Sequence, residues 1–524
     1  MNLFLSRLLI AVMLFTGVSQ LNAQKVTFDD VIKAKLKSSG PITESGQVKG
    51  YYFFYEIDKV DRKNRAYMLQ ILDENMVKVG KKKLIKPKTT FLTEATYNGE
   101  VFLFSFLNPK KKTLSLVSYD KTLAKQGSRT YELDKWGLTQ LYSGSAVNSD
   151  PSFNKIIYPV GNRGFMRYTM KKNKKLGYEL EYLANNLKKS ESWNQSSDPS
   201  SKMIQAASFG DISEKYLVSS IMKKPKLLAN KNISFDLSVI DLTTKELLFK
   251  KTLKNSKYIF SYMNSFINED KGTFLVFGEY FQKGANIIKD KSTGLVIMEY
   301  DVAGNVTKEV YYDWKKDIGK MIKVDKKGKI GEGGHVAFHR IVKTSDGHYY
   351  AIGEMYRKAA SALGITSQLL GGGGTAMAKI VVMDMVAFDF DEDLLLKDVS
   401  VIEKRHSDVE LPQGMGMYPP SMLAMFIRAY GMFDYQYTQT TVDESSFFAT
   451  YIAISDEKKR KDREVYFGII ARTEGDDEYV LDRVDLTSEA TSIFVYPAKP
   501  GYILLTEYFK KEKKIENRLE KINF

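Results

Sequence analysis

"TFLVFGEYFQKGANIIKDKSTGLVIMEYDVAGNVTKEVYYDW", residues 273–314, holds one period of the chain. It opens with an aromatic and β-branched stretch, passes through a polar connection rich in lysine, and returns in a second apolar stretch that runs into the turn 301–305. A weaker third stretch, 308–314, trails it, and the preceding "MNSFINEDKG" (263–272) supplies a further strand and turn. Short runs of β-branched and aromatic residues bounded by Gly, Asn and Asp read as antiparallel strands joined by tight turns. Four such strands make one unit.

The same unit recurs along the chain. Its first type of stretch reappears as "GYYFFYE" (50–56), "VFLFSF" (101–106), "KYLVSSI" (215–221), "HYYAIGE" (348–354), "SFFATYI" (446–452) and "GYILLTE" (501–507). The second type reappears as "YMLQILDEN" (67–75), "LSLVSYDK" (114–121), "YELEYLANN" (178–186), "FDLSVIDL" (235–242), "VVMDMVAFDFDED" (381–393), "YVLDRVDL" (479–486) and "NRLEKINF" (517–524). The spacing is about 50 to 65 residues with two longer exceptions, and helical periodicity is nearly absent. A small sheet repeated at fixed spacing cannot bury its faces alone, so stacked copies are required. The expected fold is all-β: a seven- or eight-bladed β-propeller-like ring of antiparallel four-stranded sheets, spanning 24–524 as one domain. A solenoid or several sandwiches are the competing arrangements. The last unit lacks an outer strand, and "KVTFDD" (25–30) or "GPITESGQVKG" (40–50) is expected to complete it.

Composition sets the compartment and the source of stability. "MNLFLSR" followed by "LLIAVMLFTGV" has the charged n-region and apolar h-region of a secretory leader, so 1–23 reads as a signal peptide cleaved after Ala23. No later run is apolar for long enough to span a bilayer. The chain is therefore expected to be exported, to the periplasm or beyond, with possible association with the outer membrane. It has no cysteine, which excludes thiol acylation and disulfides. Stability must come from burial, for which 43% hydrophobic and 12% aromatic content is ample.

With the strands of each unit named A to D, antiparallel order sends every B–C connection and every D–A link to one face of the ring. The formal charge is +15, and the B–C connections hold much of it. Lys223, Lys224 and Lys226 lie in one, Arg357 and Lys358 in another, and Lys458, Lys459, Arg460 and Lys461 in a third. Two readings stand: lysines that keep hairpins soluble and guard sheet edges, or a face that attracts polyanions. For an exported protein the anionic partner is an envelope polysaccharide, a lipid head group or an envelope protein rather than nucleic acid.

Both exceptions to the period fall on that same face. The insert at 357–379 expands a B–C connection and contains four consecutive glycines. The insert at 405–437 expands a D–A link and carries Met415, Met417, Tyr418, Met422 and Phe426, the adaptable apolar side chains found at recognition surfaces. The inserts could pack on one another, plug the central channel, or form a partner-binding lid.

Signals for chemistry are poor. His335 and His339 have helical zinc spacing but sit in strand-like sequence, which places them ~13 Å apart. "DFDED" (389–393) lacks the glycine and the glutamate of a calcium loop. Glu56, Glu279, Glu354 and Glu507 recur at one repeat position, as do Trp136, Trp193 and Trp314 near the ends of trailing strands, and recurrence points to structure. No catalytic residue, metal site or cofactor site is assigned.

"GPITESGQVKGYYFFYEIDKVDRKNRAYMLQILDENM" (40–76) and "SDGHYYAIGEMYRKAA" (345–360), with the glycine-rich sequel, resemble a family of exported Bacteroidota proteins of unknown function. The resemblance implies an envelope or extracellular location and no activity. The expected function is a non-catalytic binding or scaffolding protein acting through the basic, insert-bearing face. The alternative is a propeller enzyme, a hydrolase or lyase acting on glycans, with carboxylates near the central channel.

Overall fold

A computed structural model describes residues 24–44, 46–145, 155–172, 175–226, 232–325, 328–331, 333–369, 374–455, 464–476 and 478–523. Residues 1–23, where a leader is expected, and the cationic run at 458–461 lie outside the described residues.

The chain forms an eight-bladed β-propeller of small antiparallel sheets. In the order A to D, blade 1 is Lys33–Glu44, Gln47–Asp58, Asn64–Asp73 and Lys78–Pro87. Blade 2 is Phe91–Tyr97, Val101–Asn108, Thr113–Asp120 and Lys125–Glu132, and blade 3 is Ile157–Val160, Gly164–Lys172, Leu176–Ala184 and Trp193–Ser196. Blade 4 is Ile204–Ile212, Tyr216–Lys224, Ser234–Asp241 and Glu246–Thr252. Blade 5 splits its A strand into Tyr258–Phe260 and Asn264–Asn268, followed by Thr273–Gln282, Gly294–Tyr300 and Val306–Asp313. Blade 6 is His335–Lys343, Tyr349–Ala360, Thr375–Phe390 and Leu396–Ile402, and blade 7 is Tyr435–Thr440, Ser446–Ile454, Val465–Thr473 and Val480–Asp485. Blade 8 is Ser492–Pro497, Tyr502–Phe509 and Lys514–Lys521, completed by Lys25–Phe28 from the other end of the chain.

That closing strand is the "KVTFDD" segment. It pairs antiparallel with the last strand, Lys25 opposite Arg518 and Phe28 opposite Ile515. "GPITESGQVKG" instead makes the A–B hairpin of blade 1. A second difference lies in blade 7. There "YVLDRVDL" is strand D, not C, because Val465–Thr473 intervenes and pairs with strand B along its whole length.

Burial follows position in the blade. Val101–Asn108, a B strand, is buried at every residue because both of its faces meet neighbouring sheets. The outermost strands alternate or are exposed, and Lys81, Lys82 and Lys83 decorate the outer strand of blade 1, where charge discourages pairing with another chain. The hydrophobic clusters sit between blades: Phe54, Tyr67 and Phe104 join blades 1 and 2, Phe274, Val239 and Phe249 join blades 4 and 5, and Phe28, Phe53 and Tyr508 join blades 8 and 1.

The C–D corners lock each blade to the one before it. Asp73, Asp120, Asp241, Asp301 and Asp391 each turn a side-chain oxygen back onto backbone N–H groups of the turn, the local bonding that makes Asp a turn former. In four corners a bulky residue takes a left-handed φ (Met76, Leu123, Leu187 and Leu394), and all four are buried. This costly conformation is held by packing across the blade junction. Leu123 of blade 2 lies against Gly80 of blade 1, where a Cβ would come within 2.8 Å of it, and Lys82 Nζ donates to the Leu123 carbonyl at 2.8 Å. At the next-but-three junction, Tyr312 Oη donates to the Leu394 carbonyl at 2.5 Å.

Truncation of the closing aromatic tests the importance of this ring. Phe28 meets Phe53 and Tyr55 at centroid separations of 5.0 and 5.6 Å. Phe28→Ala is expected to lower stability by about 3–5 kcal/mol in urea unfolding, whereas Val442→Ala, at an exposed turn, should change it by no more than about 0.5 kcal/mol.

Candidate functional site

The two inserts form one structure above blade 6. Strands B and C of that blade extend past the ring, to Ala360 and from Thr375, and carry a helix, α2 (Ala362–Leu369), at their tip; α1 (Lys135–Ser145) follows blade 2 and includes Trp136, which is therefore helical rather than at a strand end. The second insert runs back along the extension of strand C as Ser407–Pro412, with Ile380 opposite Val409. It then makes a turn of 3-10 helix, Met415–Met417, and helix α3 (Pro420–Ala429). Pro420 at the first helical position suits a residue with a fixed φ and no N–H to satisfy.

Tyr356, Ile380, Leu411, Leu423, Ile427 and Phe433 make a separate core beneath this layer. Lys358 Nζ donates to the Tyr418 carbonyl at 3.1 Å, Ser361 Oγ to Glu410 at 2.6 Å, and Arg428 to the carbonyl of His339 at 3.0 Å. Ser421 Oγ donates to the carbonyl of Ile288, in the B–C connection of blade 5. The inserts thus pack on one another and bridge blades 5, 6 and 7.

This packing divides the side chains singled out by sequence. Met415, Tyr418 and Phe426 are half-buried against the insert core, Met422 is half-buried, and Met417 stands out at 83% exposure. Met425, Tyr430 and Met432, which belong to the same apolar composition of the second insert, are exposed as well, and so are Leu363, Ile365 and Met377 of the first insert, which sequence reading missed. These seven exposed residues, Met417 included, come from a small fraction of the chain, whereas the other large exposed hydrophobics are scattered over it.

The basic residues on the same face differ in their engagement. Lys223 is paired with Asp236 and is not a free cation. Lys224 has no such partner among the described residues, and burial pushes its ammonium below the usual lysine range. Lys226 and Lys358 are exposed and Arg357 is half-buried. Lys110, Lys111 and Lys112 of blade 2, Lys283, Lys289 and Lys291 of blade 5, and Lys510, Lys511 and Lys513 of blade 8 are exposed in their own B–C connections. The opposite face is rich in acid at its turns, including Glu74, Asp270, Asp301, Glu392, Asp393, Glu444 and Asp476. The two faces therefore differ in sign.

Beneath the insert lies a buried ionic network. Glu354, from strand B of blade 6, has no exposed surface. It meets His339 Nε2 at 3.1 Å, Lys404 Nζ at 3.3 Å and the backbone N–H of Tyr435 at 3.0 Å. Lys404 donates to Asp434 at 2.5 Å, and Ser407 Oγ reaches the same carboxylate at 2.9 Å. The His339 ring stacks on Tyr435 with centroids 4.5 Å apart. Burial raises the Glu354 carboxyl, but the His339 hydrogen bond and the Lys404 charge outweigh it and hold the group below its ordinary range. Burial and the Glu354 charge push Asp434 up to about 6. Every charge in the network has a partner, as buried charges require, which is the signature of a scaffold joining blades 6 and 7 to the insert.

The recurrent glutamates take the same kind of place elsewhere: Glu56 pairs with Arg65 at 3.0 Å, Glu507 with Arg518 at 2.7 Å, and Glu279 accepts from Ser292 Oγ at 2.6 Å. Ser292 in turn accepts from the Trp314 indole at 2.9 Å.

Two carboxylates on innermost strands bear on the glycan-enzyme alternative. Loss of surrounding water pushes Glu94 up to about 7 and Asp211 up to about 6. Glu94 accepts from the N–H groups of Ile156 and Ile157 at 3.3 and 3.2 Å, and Asp211 from Ile267 N–H at 2.8 Å. Both tie one blade to the next. His335 and His339 lie on one strand, and no metal-ligand cluster is found among the described residues.

A family model described as a family of unknown function (DUF6770) matches residues 4–523. No curated protein matches the sequence. Similar solved structures include the WD40 domain of SCAP from fission yeast, at 8% identity over 94% of this chain and 98% of that one with a TM-score of 0.38. The β-propeller domain of the Trilobed protease from Pyrococcus furiosus is similar at 10% identity, 88% and 97% coverage and a TM-score of 0.36. The BP39L lectin from Burkholderia pseudomallei is similar at 7% identity, 87% and 99% coverage and a TM-score of 0.35.

Two outcomes are expected. Glu354→Gln leaves Lys404 buried beside one carboxylate fewer and should destabilise the chain by about 3–5 kcal/mol; adding Lys404→Met should cost less than the sum of the two changes, as measured by urea unfolding. Folded Glu94 holds a proton that the unfolded chain, with a carboxyl near 4.5, releases. Its contribution to stability is therefore full below pH 4.5 and lost as pH rises towards 7. Glu94→Gln should flatten the fall of the unfolding midpoint across that window.

Proposed function

We propose that this chain, which belongs to the family of unknown function DUF6770, is a non-catalytic binding or scaffolding propeller that docks on an anionic, amphiphilic surface through its insert-bearing face. The observation that carries the reading is the exposure of Met417, Met425, Tyr430 and Met432 on a rigidly seated layer, on the face that also bears exposed lysines in the B–C connections of several blades. Apolar side chains displayed together by a chain with a large core to fill mark a contact surface. Flanking cations select an anionic partner and steer its approach. A surface of anionic lipid head groups satisfies both features, since acyl chains accept the methionines while phosphates meet the ammonium groups. A purely polar glycan would satisfy only the second. Among the described residues no helix is long and apolar enough to cross a membrane, and the leader-like 1–23 supports an envelope location.

A role without catalysis is supported by Glu94 and Asp211, the buried carboxylates of two innermost strands, which already serve blade junctions. Co-sedimentation with vesicles tests the proposal. Vesicles containing phosphatidylglycerol should retain the protein, pure phosphatidylcholine vesicles should not, and retention should weaken as salt rises from about 0.05 to 0.5 M. Neutralising Lys458, Lys459, Arg460 and Lys461 together should weaken binding by well over tenfold, since each charge near an anionic surface is worth about 1 kcal/mol. Met417→Ser with Met425→Ser should weaken it without changing the salt dependence. Equal retention on neutral vesicles, or an unchanged quadruple variant, would sink the reading.

A further inference from the structure

On the face opposite the inserts, the junction of blades 5 and 6 leaves a cleft of about 200 Å³. Its floor is aromatic: Phe266 meets Tyr349 edge to face with centroids 5.2 Å apart. Its rim carries both signs of charge. Lys271 comes from the A–B turn of blade 5 and Lys343 from the end of strand A of blade 6, directly across the ladder from Tyr349. Glu299, Glu392 and Asp393 supply the carboxylates.

Several of these groups are fixed by the ring. Glu299 accepts from the hydroxyls of Thr273 and Thr307 at 2.9 and 3.0 Å, and Lys308 Nζ donates to the Asp393 carbonyl at 2.9 Å. Others are not engaged. Among the described residues neither the Lys271 nor the Lys343 ammonium has a carboxylate partner, and the Tyr349 hydroxyl makes no hydrogen bond within the chain. Burial and the charge of Glu299 push that phenol up to about 12, so it remains a donor throughout the neutral range.

We propose that this cleft is a binding site for a neutral, hydroxyl-rich sugar ring. The cleft is smaller than the roughly 300–1,000 Å³ of sites for drug-sized ligands, which limits the occupant to one compact unit. The nearly balanced charges of the rim favour a ligand without net charge over a simple anion or cation. Donors and acceptors on opposite walls match hydroxyls, which both give and accept hydrogen bonds. The Phe266 and Tyr349 rings offer an apolar floor to the C–H face that a pyranose presents. The site is separate from the insert-bearing face and does not rest on lipid binding.

Saturation-transfer NMR with free glucose, galactose, mannose and N-acetylglucosamine at millimolar concentration tests the assignment on the full chain. At least one sugar should receive saturation, and the signal should fall severalfold in a Lys271→Met/Lys343→Met variant, whose exposed side chains do not support the core, while Met417→Ser leaves it unchanged. Tyr349→Phe should weaken it as well. The assignment is overturned if no sugar receives saturation, if the double variant responds like the parent, or if phosphate or glycine displaces the sugar at equal concentration.

Discussion

A ring of sheets is stable only if its two ends meet, and here they meet through four residues. Lys25–Phe28 supplies the outer strand of a blade whose other three strands end the chain. Without it Lys514–Lys521 would be an open edge with unsatisfied N–H and C=O groups, and Phe53 and Tyr55 would lose the ring that covers them. The backbone N–H of Val31 also bonds to the Lys513 carbonyl just beyond the ladder. Closure fixes the curvature of all eight junctions, because a blade can rotate only by opening the hydrophobic cluster beside it. The corners described above oppose that rotation a second time, at the ring's outer radius.

Once the ring is closed, antiparallel order decides what each face can contain. Connections on one face leave from the inner half of one hairpin and the outer link of the next, and this chain places lysine and its inserts there. The other face is made of tight A–B and C–D turns, whose Asp and Asn residues are present for local reasons: their side chains satisfy N–H groups that the turn leaves open. The sign difference between the faces is therefore partly a by-product of turn chemistry. A net charge of +15 then understates the field on the basic side and overstates it on the other.

The blade pattern was readable because the B and C strands are buried on both faces and so appear as unbroken aromatic and β-branched runs. Strand number in blade 7 was misread although "VYFGIIART" carries that signal: it follows immediately after a highly charged stretch, and the weaker run 479–486 reads as strand C in its place. The blade count and the closing strand required knowing which weak outer strand existed, and those strands carry little apolar sequence. In the second insert, composition identified an apolar segment but not its phase. Helix α3 turns Leu423 and Ile427 inward and Met425 outward, a choice set by where strand C of blade 6 happens to extend. The cleft beneath was not legible at all, since Lys271, Lys343 and Glu392 meet only through the junction of two blades.

The insert also explains why a charged network survives in a hydrophobic ring. A hydrophobic filling between blades 6 and 7 would give comparable or greater stability, since desolvating Glu354, Lys404 and Asp434 is costly. It would not fix direction. Glu354 holds the N–H of Tyr435, where the second insert re-enters the ring, and Lys404 holds Asp434 one residue earlier. Ser407, at the start of the insert's own strand, bonds to the same Asp434. Both ends of a segment of about thirty residues are thus clamped to one buried point, so that the layer above can present Met417 and Met425 to solvent without the whole excursion collapsing onto the ring. Specific polar geometry, rather than additional burial, is what allows an apolar surface to remain exposed.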